Sequence, residues 1–82
     1  MPEVDKITLD QLQNGHKGRI IEIKGGHTLI DRLAAIGIRT GKSITKKGSM
    51  LMRGPVTIQV DNAQIAIGFG MAKKIILEPT KK

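Results

Sequence analysis

The sequence predicts a mostly β fold: a small, highly curved barrel of about five short strands, with one short α-helix inserted after the first long strand. Two observations support this prediction. Segments rich in Val, Ile and Thr alternate with glycine-containing turns, and 10 of the 82 residues are glycine. One segment, residues 25–41, instead places its apolar residues at helical spacing. Closing short strands into a barrel removes the sheet edges that they would otherwise expose.

The first long strand is predicted over residues 17–24, which are rich in β-branched side chains and bounded by glycines. Simple alternation places Ile21 and Ile23 on one face and Ile20 and Glu22 on the other. Because both faces carry isoleucine, the alternation does not indicate which face meets the core.

A short helix follows this strand. Thr28 is placed to act as its N-cap, and Asp31 three residues later is close to a capping-box pattern. Gly37 follows the last periodic residue, as a left-handed C-terminal cap would, and Ile38 can fold back onto the final turn. The side chains expected near one face, with Leu33 and Ile36 seating the helix against the barrel, are Leu29, Ile30, Leu33, Ala34 and Ile36.

The second half supplies the remaining strands. Residues Val56–Val60 alternate cleanly, and Asp61 with Asn62 predicts a tight turn into a returning strand. The other segments are a single turn within 7–12, strands over 42–46, 64–67 and 74–78, a long mobile hairpin connection over 47–55, one helical turn over 68–73, and a frayed tail over 79–82. We expect residues 1–82 to form a single domain.

The net charge of +7 is uneven, because residues 41–82 hold eight Lys or Arg against two acids. Such asymmetry favours an anionic neighbour, although lysines also keep small proteins soluble. There is no cysteine, no apolar run of membrane-spanning length and no basic-then-apolar signal peptide, so a cytoplasmic location is expected.

The sequence carries no recognisable catalytic motif. Its serines and threonines lie in strand, cap or turn contexts, and no Gly-x-Ser-x-Gly elbow is present. Residues 37–43 come closest to a phosphate-binding loop, but one intervening residue is missing and the segment follows a helix instead of a strand. We therefore predict that the chain is not an enzyme and needs no cofactor.

The weak candidates for metal ligands are His16, His27 and Asp31. His27 and Asp31 are four residues apart, but His27 precedes the predicted cap and so should lie outside the helix. No His or Cys spacing matches a closed metal site. Two solvent-exposed loop histidines are expected, and a small metal-sensing or metal-binding protein is kept as an alternative.

Residues 15–23 resemble the glycine-bearing strand motif of KOW-type, SH3-like domains that bind RNA. Phe69 is the single aromatic residue, so the chain cannot build the stacking platform on which single-stranded bases are usually held. Phosphate contacts alone would weaken steeply with salt. An RNA-binding module is therefore a second alternative, without sequence-specific recognition.

An ordered set of segments along essentially the whole chain resembles the FeoA family. The most specific is Arg32-Leu33-x-x-Ile36-Gly37-Ile38-x-x-Gly41, followed after a gap by Gly54-Pro55. The others are Leu9…Leu12…Gly15, Ile20…Ile23, Gly25-Gly26, Val56…Ile58…Val60, Ile65-Ala66-Ile67-Gly68 and Met71-Ala72…Ile75.

This resemblance implies an SH3-like β-barrel in the bacterial cytosol that accompanies FeoB, a membrane ferrous-iron transporter with a cytosolic GTPase domain. It places the chain near a membrane but not across it. A related barrel ends the iron-dependent repressors, but 82 residues leave no room for their DNA-binding domain. Family members often carry a basic residue where this chain has Phe69, and Lys73 or Lys74 is the nearby candidate to replace that charge.

The resulting hypothesis is a non-enzymatic accessory protein of ferrous iron uptake that binds the GTPase part of FeoB; weak self-association is compatible with it. One candidate surface is the outer side of the helix. The other is an apolar loop tip inside an acid-free basic segment, residues 42–60. The candidate partner-binding residues are Leu29, Asp31, Arg32, Ala35, Arg39, Lys46, Lys47, Met50, Leu51, Met52, Arg53, Phe69 and Lys73.

Overall fold

The computed structural model describes residues 6–49 and 54–80. Its elements are β1 (Ile7–Thr8), a 3-10 turn (Leu9–Gln11), β2 (Lys17–Ile23), α1 (His27–Ala35), β3 (Ser43–Ser49), β4 (Val56–Val60), β5 (Ala63–Ile67), α2 (Phe69–Ala72) and β6 (Ile75–Pro79). The six strands form one antiparallel sheet in the order β1-β6-β2-β3-β4-β5. The predicted mostly β, SH3-like fold with a helix after the first long strand is confirmed, and the additional strand is the two-residue β1.

A bulge in β2 explains why simple alternation did not identify its buried face. Ile20 lies opposite Leu77 and Glu22 opposite Ile76, so one extra residue is accommodated between them. The side chains before and after the bulge consequently face the same way, and both Ile20 and Ile23 are buried. Neither of the two predicted faces is therefore the core face along the whole strand.

Helix α1 begins one residue before the predicted cap, which corrects two expectations. Its N-cap is Gly26, and Ile30 N–H donates the first helical hydrogen bond to the Gly26 carbonyl at 3.1 Å. Gly25, with a φ of 151°, turns the chain directly from β2 into the helix. Thr28 therefore lies inside the first turn, and His27 is the first helical residue instead of a loop residue.

The C-terminal end of α1 is a Schellman motif, as predicted from Gly37 and Ile38. Gly37 N–H donates to Ala34 O at 3.0 Å, and Ile38 N–H donates to Leu33 O at 2.8 Å. Leu33 and Ile38 are both buried in the core. The expectation that Ile36 seats the helix is wrong, because Ile38 packs in the core with Leu33 while Ile36 is 49% exposed.

Replacing Gly37 by alanine should lower the free energy of unfolding by about 1–2 kcal/mol, the usual cost of a left-handed non-glycine residue. The φ of Gly37 is 93°, and a Cβ there would meet only Val60 Cγ1 at an ordinary 3.5 Å, so backbone strain would be the cause. Urea titration measures the loss. Gly70→Ala, inside helix α2 where φ is not positive and with open space around it, is the control and should be neutral or slightly stabilising. Equal losses in the two variants would contradict the explanation.

The remaining elements largely follow the predictions. The β4–β5 hairpin turns at Asp61, whose φ of 55° is left-handed, and the predicted helical turn is α2. Strand β3 runs on to Ser49, through residues expected to be loop. Pro79 and Thr80 were assigned to a frayed tail, but Pro79 ends β6 and Thr80 N–H donates to Lys17 O at 2.8 Å.

One hydrophobic core lies inside the curved, open sheet and draws on every strand from β2 to β6, on the 3-10 turn and on both helices. Its fully buried side chains are Leu9, Ile20, Ile38, Ile44, Ile58, Ile75, Leu77 and Val56. Leu29, Ile30 and Met71 pack against this core while half-buried. The outer surface of α1 is consequently presented to solvent, while Leu33 is the buried residue of the helix. In the described residues, neither helix has the length and hydrophobicity needed to cross a membrane.

Candidate partner-binding surface

The exposed side of α1 carries the main apolar feature of the described surface. Among residues 6–49 and 54–80, Ile36 is the one large hydrophobic side chain that is exposed. It is the C-cap of α1, and its N–H bonds back to Leu33 O at 3.1 Å, so its backbone is held in place. A single exposed isoleucine is also normal on a monomer surface, so Ile36 points to binding only together with the charges around it.

Two arginines flank Ile36. Arg32 lies one turn earlier on the same helix face, and Arg39 follows the Schellman motif; both are exposed. The ion pairs among the described residues are Arg19–Glu78 at 3.6 Å and Lys42–Asp61 at 2.9 Å, so neither guanidinium is neutralised in this part of the chain. Ala35, the residue before Ile36, is also exposed. We call these four residues, Arg32, Ala35, Ile36 and Arg39, the α1 surface.

The N-terminal half of α1 differs from what the sequence predicts. Leu29 was expected to contact a partner, but it is half-buried against the core, and a Cβ at Gly25 would approach its Cδ2 at 2.6 Å. Leu29 is therefore a packing residue of the helix. Asp31 and His27 are exposed, as expected for solvated positions.

The weak metal-ligand candidates do not form a cluster. His27 and Asp31 now share the helix four positions apart, whereas His16 lies in the turn before β2. Within the described ranges, no group of three or more His, Cys, Asp or Glu side chains is placed to hold a metal ion. Two exposed side chains on one helix turn make at most a weak site.

Lys46 was predicted to belong to the second surface, the basic loop segment, but the structure buries its side chain. Its side chain is only 4% exposed, and its Nζ donates to Leu12 O at 2.6 Å and to Asp10 O at 3.0 Å. The ammonium therefore closes the 3-10 turn onto β3 instead of facing a partner. Burial lowers the pKa of Lys46 from its usual value, and the nearby Asp10 carboxylate opposes this shift.

Of the other residues predicted for this second surface, only Lys47 lies within the described residues. Lys47 is exposed, as predicted. The tip formed by Met50, Leu51, Met52 and Arg53 lies outside the described residues, so its role in binding stays a prediction.

Phe69 and Lys73 form a separate small feature. The Lys73 Nζ lies 5.4 Å from the centre of the Phe69 ring, a cation–π contact. Phe69 is half-buried, and the residues of α2 that pack in or against the core are Ala72 and Met71. Gly37, at the end of α1, is close to Val60 before β5, whereas α2 follows β5. The α1 surface and the Phe69–Lys73 pair are therefore at opposite ends of β5.

Sequence reasoning missed Ile36 as a surface residue because helical periodicity alone places it with Leu33. The available signal was the cap itself. In a Schellman motif the residue after the glycine packs against the last turn of the helix. The motif therefore predicts that Ile38 is the buried residue. Ile36, the residue before the glycine, is then left facing solvent.

The family model described as "FeoA domain" matches residues 7–79 of this chain. Among solved structures, an iron uptake regulatory protein (FeoA) is 30% identical, with 93% of this chain and 99% of that one covered and a TM-score of 0.83. A FeoA-like protein from Clostridium acetobutylicum is 20% identical, covers 98% and 93% of the two chains, and superposes with a TM-score of 0.83. No protein of curated function matches the sequence significantly.

The same fold recurs in larger proteins. A manganese-dependent transcriptional repressor is 18% identical over 98% of this chain, with a TM-score of 0.85, but the match spans only 45% of the repressor. This likeness shows the fold alone.

Proposed function

This chain belongs to the FeoA domain family, and on that premise we propose that it is a non-enzymatic cytosolic accessory protein of ferrous iron uptake. In this proposal it acts by binding the cytosolic GTPase part of the FeoB transporter. The similar structures support the iron connection, since one is named an iron uptake regulatory protein and another iron(II) transport protein A. The partner itself comes from the family resemblance.

The α1 surface is the observation that carries the proposal. It combines an exposed isoleucine with two arginines that make no ion pair within residues 6–49 and 54–80, at the C-terminal end of a helix whose Leu33 is buried in the core. Arginine is among the residue types that contribute most to protein interfaces, and Ile36 adds apolar area that binding would bury. This arrangement is suited to docking on another protein.

The chemistry of the α1 surface defines what the partner must present. Ile36 requires a shallow apolar recess, and the arginines require carboxylates at its rim, because guanidinium pairs with carboxylate in a bidentate geometry. A protein with a net charge of +7 is also attracted at long range to an acidic partner. We therefore expect docking on an acidic, partly apolar patch of the GTPase part of FeoB.

Calorimetric titration of the FeoB cytosolic GTPase domain with this protein tests the proposal. We expect saturable binding that Ile36→Ser weakens about tenfold, because the apolar contact is lost. Ile36→Val, which keeps most of that contact, should stay within about threefold of the parent. Thermal unfolding of the three proteins confirms that the fold is retained.

Activity measurements decide whether the contact matters. GTP hydrolysis and iron transport by full-length FeoB should change on adding the parent protein and should change less with Ile36→Ser. Neither binding nor any effect on hydrolysis or transport would overturn the proposal. Salt-sensitive binding to a generic RNA, in the absence of FeoB binding, would favour the RNA-binding alternative instead.

A further inference from the structure

Strand β5 forms one edge of the sheet. It pairs with β4 in an unbroken register from Val60–Ala63 to Val56–Ile67, and no other strand among the described residues pairs with it. The opposite edge is β1, which is only two residues long and follows Lys6. The two edges therefore differ in length, and the β1 edge has a lysine directly before it.

Natural proteins protect long sheet edges with lysine, proline, bulges or a covering element. Strand β5 has none of the first three: its sequence is Ala-Gln-Ile-Ala-Ile and its register is continuous. Ala63, Gln64 and Ala66 are exposed, so the described residues do not cover them. The five residues of this edge carry no charge, although the chain has a net charge of +7.

The hairpin geometry determines which backbone groups this edge offers. With a two-residue turn, Val60 and Ala63 are a hydrogen-bonded pair, and the pairing type then alternates along an antiparallel ladder. Ile65 and Ile67 consequently bond to β4. The N–H and C=O groups of Gln64 and Ala66 point away from it, and no backbone hydrogen bond from another described element reaches them.

We propose that β5 pairs antiparallel with β5 of a second copy of this chain, about a two-fold axis at Ile65. In this register Gln64 lies opposite Ala66 of the second copy, and Ala66 opposite its Gln64. The four outward groups of each strand then form four hydrogen bonds across the axis. The two Ile65 side chains become direct cross-strand neighbours in a non-hydrogen-bonded pair, where side chains approach most closely.

The charge distribution favours a second copy as the occupant. Two copies of a basic protein repel each other, so a self-pairing edge must bring no like charges together, and β5 carries none. At the turn end, the Lys42 Nζ lies 2.9 Å from an Asp61 carboxylate oxygen, which leaves that end neutral. The half-buried Ile65, already packed at its base against the core, gains an identical apolar partner.

Sedimentation equilibrium with charge variants at the exposed positions tests both the partner and the register. Gln64→Lys with Ala66→Lys brings four lysines together across the axis and should weaken dimerisation roughly tenfold. Gln64→Lys with Ala66→Glu places opposite charges face to face in the proposed register and should return the dimerisation constant to within about threefold of the parent. A parent protein that stays monomeric at millimolar concentration, or two variants that behave alike, would overturn the proposal.

Amide hydrogen exchange followed by NMR locates the contact directly. The amides of Gln64 and Ala66 should become protected as protein concentration rises, while those of Ile65 and Ile67 are protected at every concentration by β4. Protection of Gln64 and Ala66 that appears only when FeoB is added would assign the edge to that partner and refute self-pairing. Dimerisation without protection at these two amides would also refute it.

Discussion

Replacing Lys46 by methionine should lower the free energy of unfolding by about 2–3 kcal/mol, the cost of leaving two carbonyls without their charged donor. Methionine keeps the length and apolar stem of lysine, so the lost hydrogen bonds to Leu12 O and Asp10 O are the main change. For a domain of this size, the loss corresponds to a fall of about 10–20 °C in melting temperature. Urea titration followed by circular dichroism measures it.

Lys47→Met is the matched control, since it makes the same chemical change one residue along at an exposed position. It should alter the free energy of unfolding by less than about 0.5 kcal/mol. A Lys46 variant as stable as the Lys47 variant would show that the buried ammonium does not hold the 3-10 turn onto β3.

Reversing both arginines of the α1 surface, Arg32→Glu with Arg39→Glu, should weaken binding to the FeoB GTPase domain roughly 100-fold, because a loss of about 1.4 kcal/mol at each interface arginine is tenfold in affinity. The reversal also sets carboxylates against the acidic patch that the proposal requires. Both side chains are exposed and unpaired within the described residues, so the fold should be unaffected. Calorimetry gives the dissociation constant.

The control for this prediction is Lys17→Glu with Lys24→Glu, which changes the net charge by the same amount at exposed positions on and just beyond β2. It should weaken binding only a few-fold, because association becomes slower. Higher salt should remove this difference from the parent protein. If the two double variants lose the same affinity, the attraction is general and the α1 surface is not the docking site.

The β4–β5 hairpin and the C-terminal end of α1 were predicted correctly, because each depends on residues that are close together in the sequence. Val56–Val60 alternates and is followed by Asp61, so the β4–β5 hairpin could be predicted without knowledge of its neighbours. The end of α1 followed in the same way from Gly37 and Ile38. The β2 bulge could not be predicted, because it depends on the fit of β2 to β6 across the barrel.

Lys46 was predicted on the surface because it is charged, although strand alternation places its side chain in the core. It lies two residues after the buried Ile44 on the same strand face, so alternation alone points it inward. Lysine is rarely buried, and that general rule favoured the surface. Lys46 can be buried because its ammonium donates to two carbonyl groups at the 3-10 turn, Asp10 O and Leu12 O. That turn is far away in the sequence, so no local pattern reveals the contact.

The candidate site was predictable in part. Asp31, Arg32 and Ala35 were expected on the outer side of the helix with Arg39 next to it, and all four are exposed. Leu29 and Ile36 exchanged roles, because the helix starts earlier and ends at a Schellman motif. The surface therefore has its apolar centre at the C-terminal end of α1 instead of near its middle.

Solution NMR of isotope-labelled protein titrated with the unlabelled FeoB GTPase domain tests the central claim most directly. We expect the largest chemical-shift changes at Arg32, Ile36 and Arg39, with the Ile36 methyl groups broadened at sub-stoichiometric partner. Shift changes confined to other surfaces, with the α1 resonances unmoved at saturation, would contradict the assignment of this surface to FeoB.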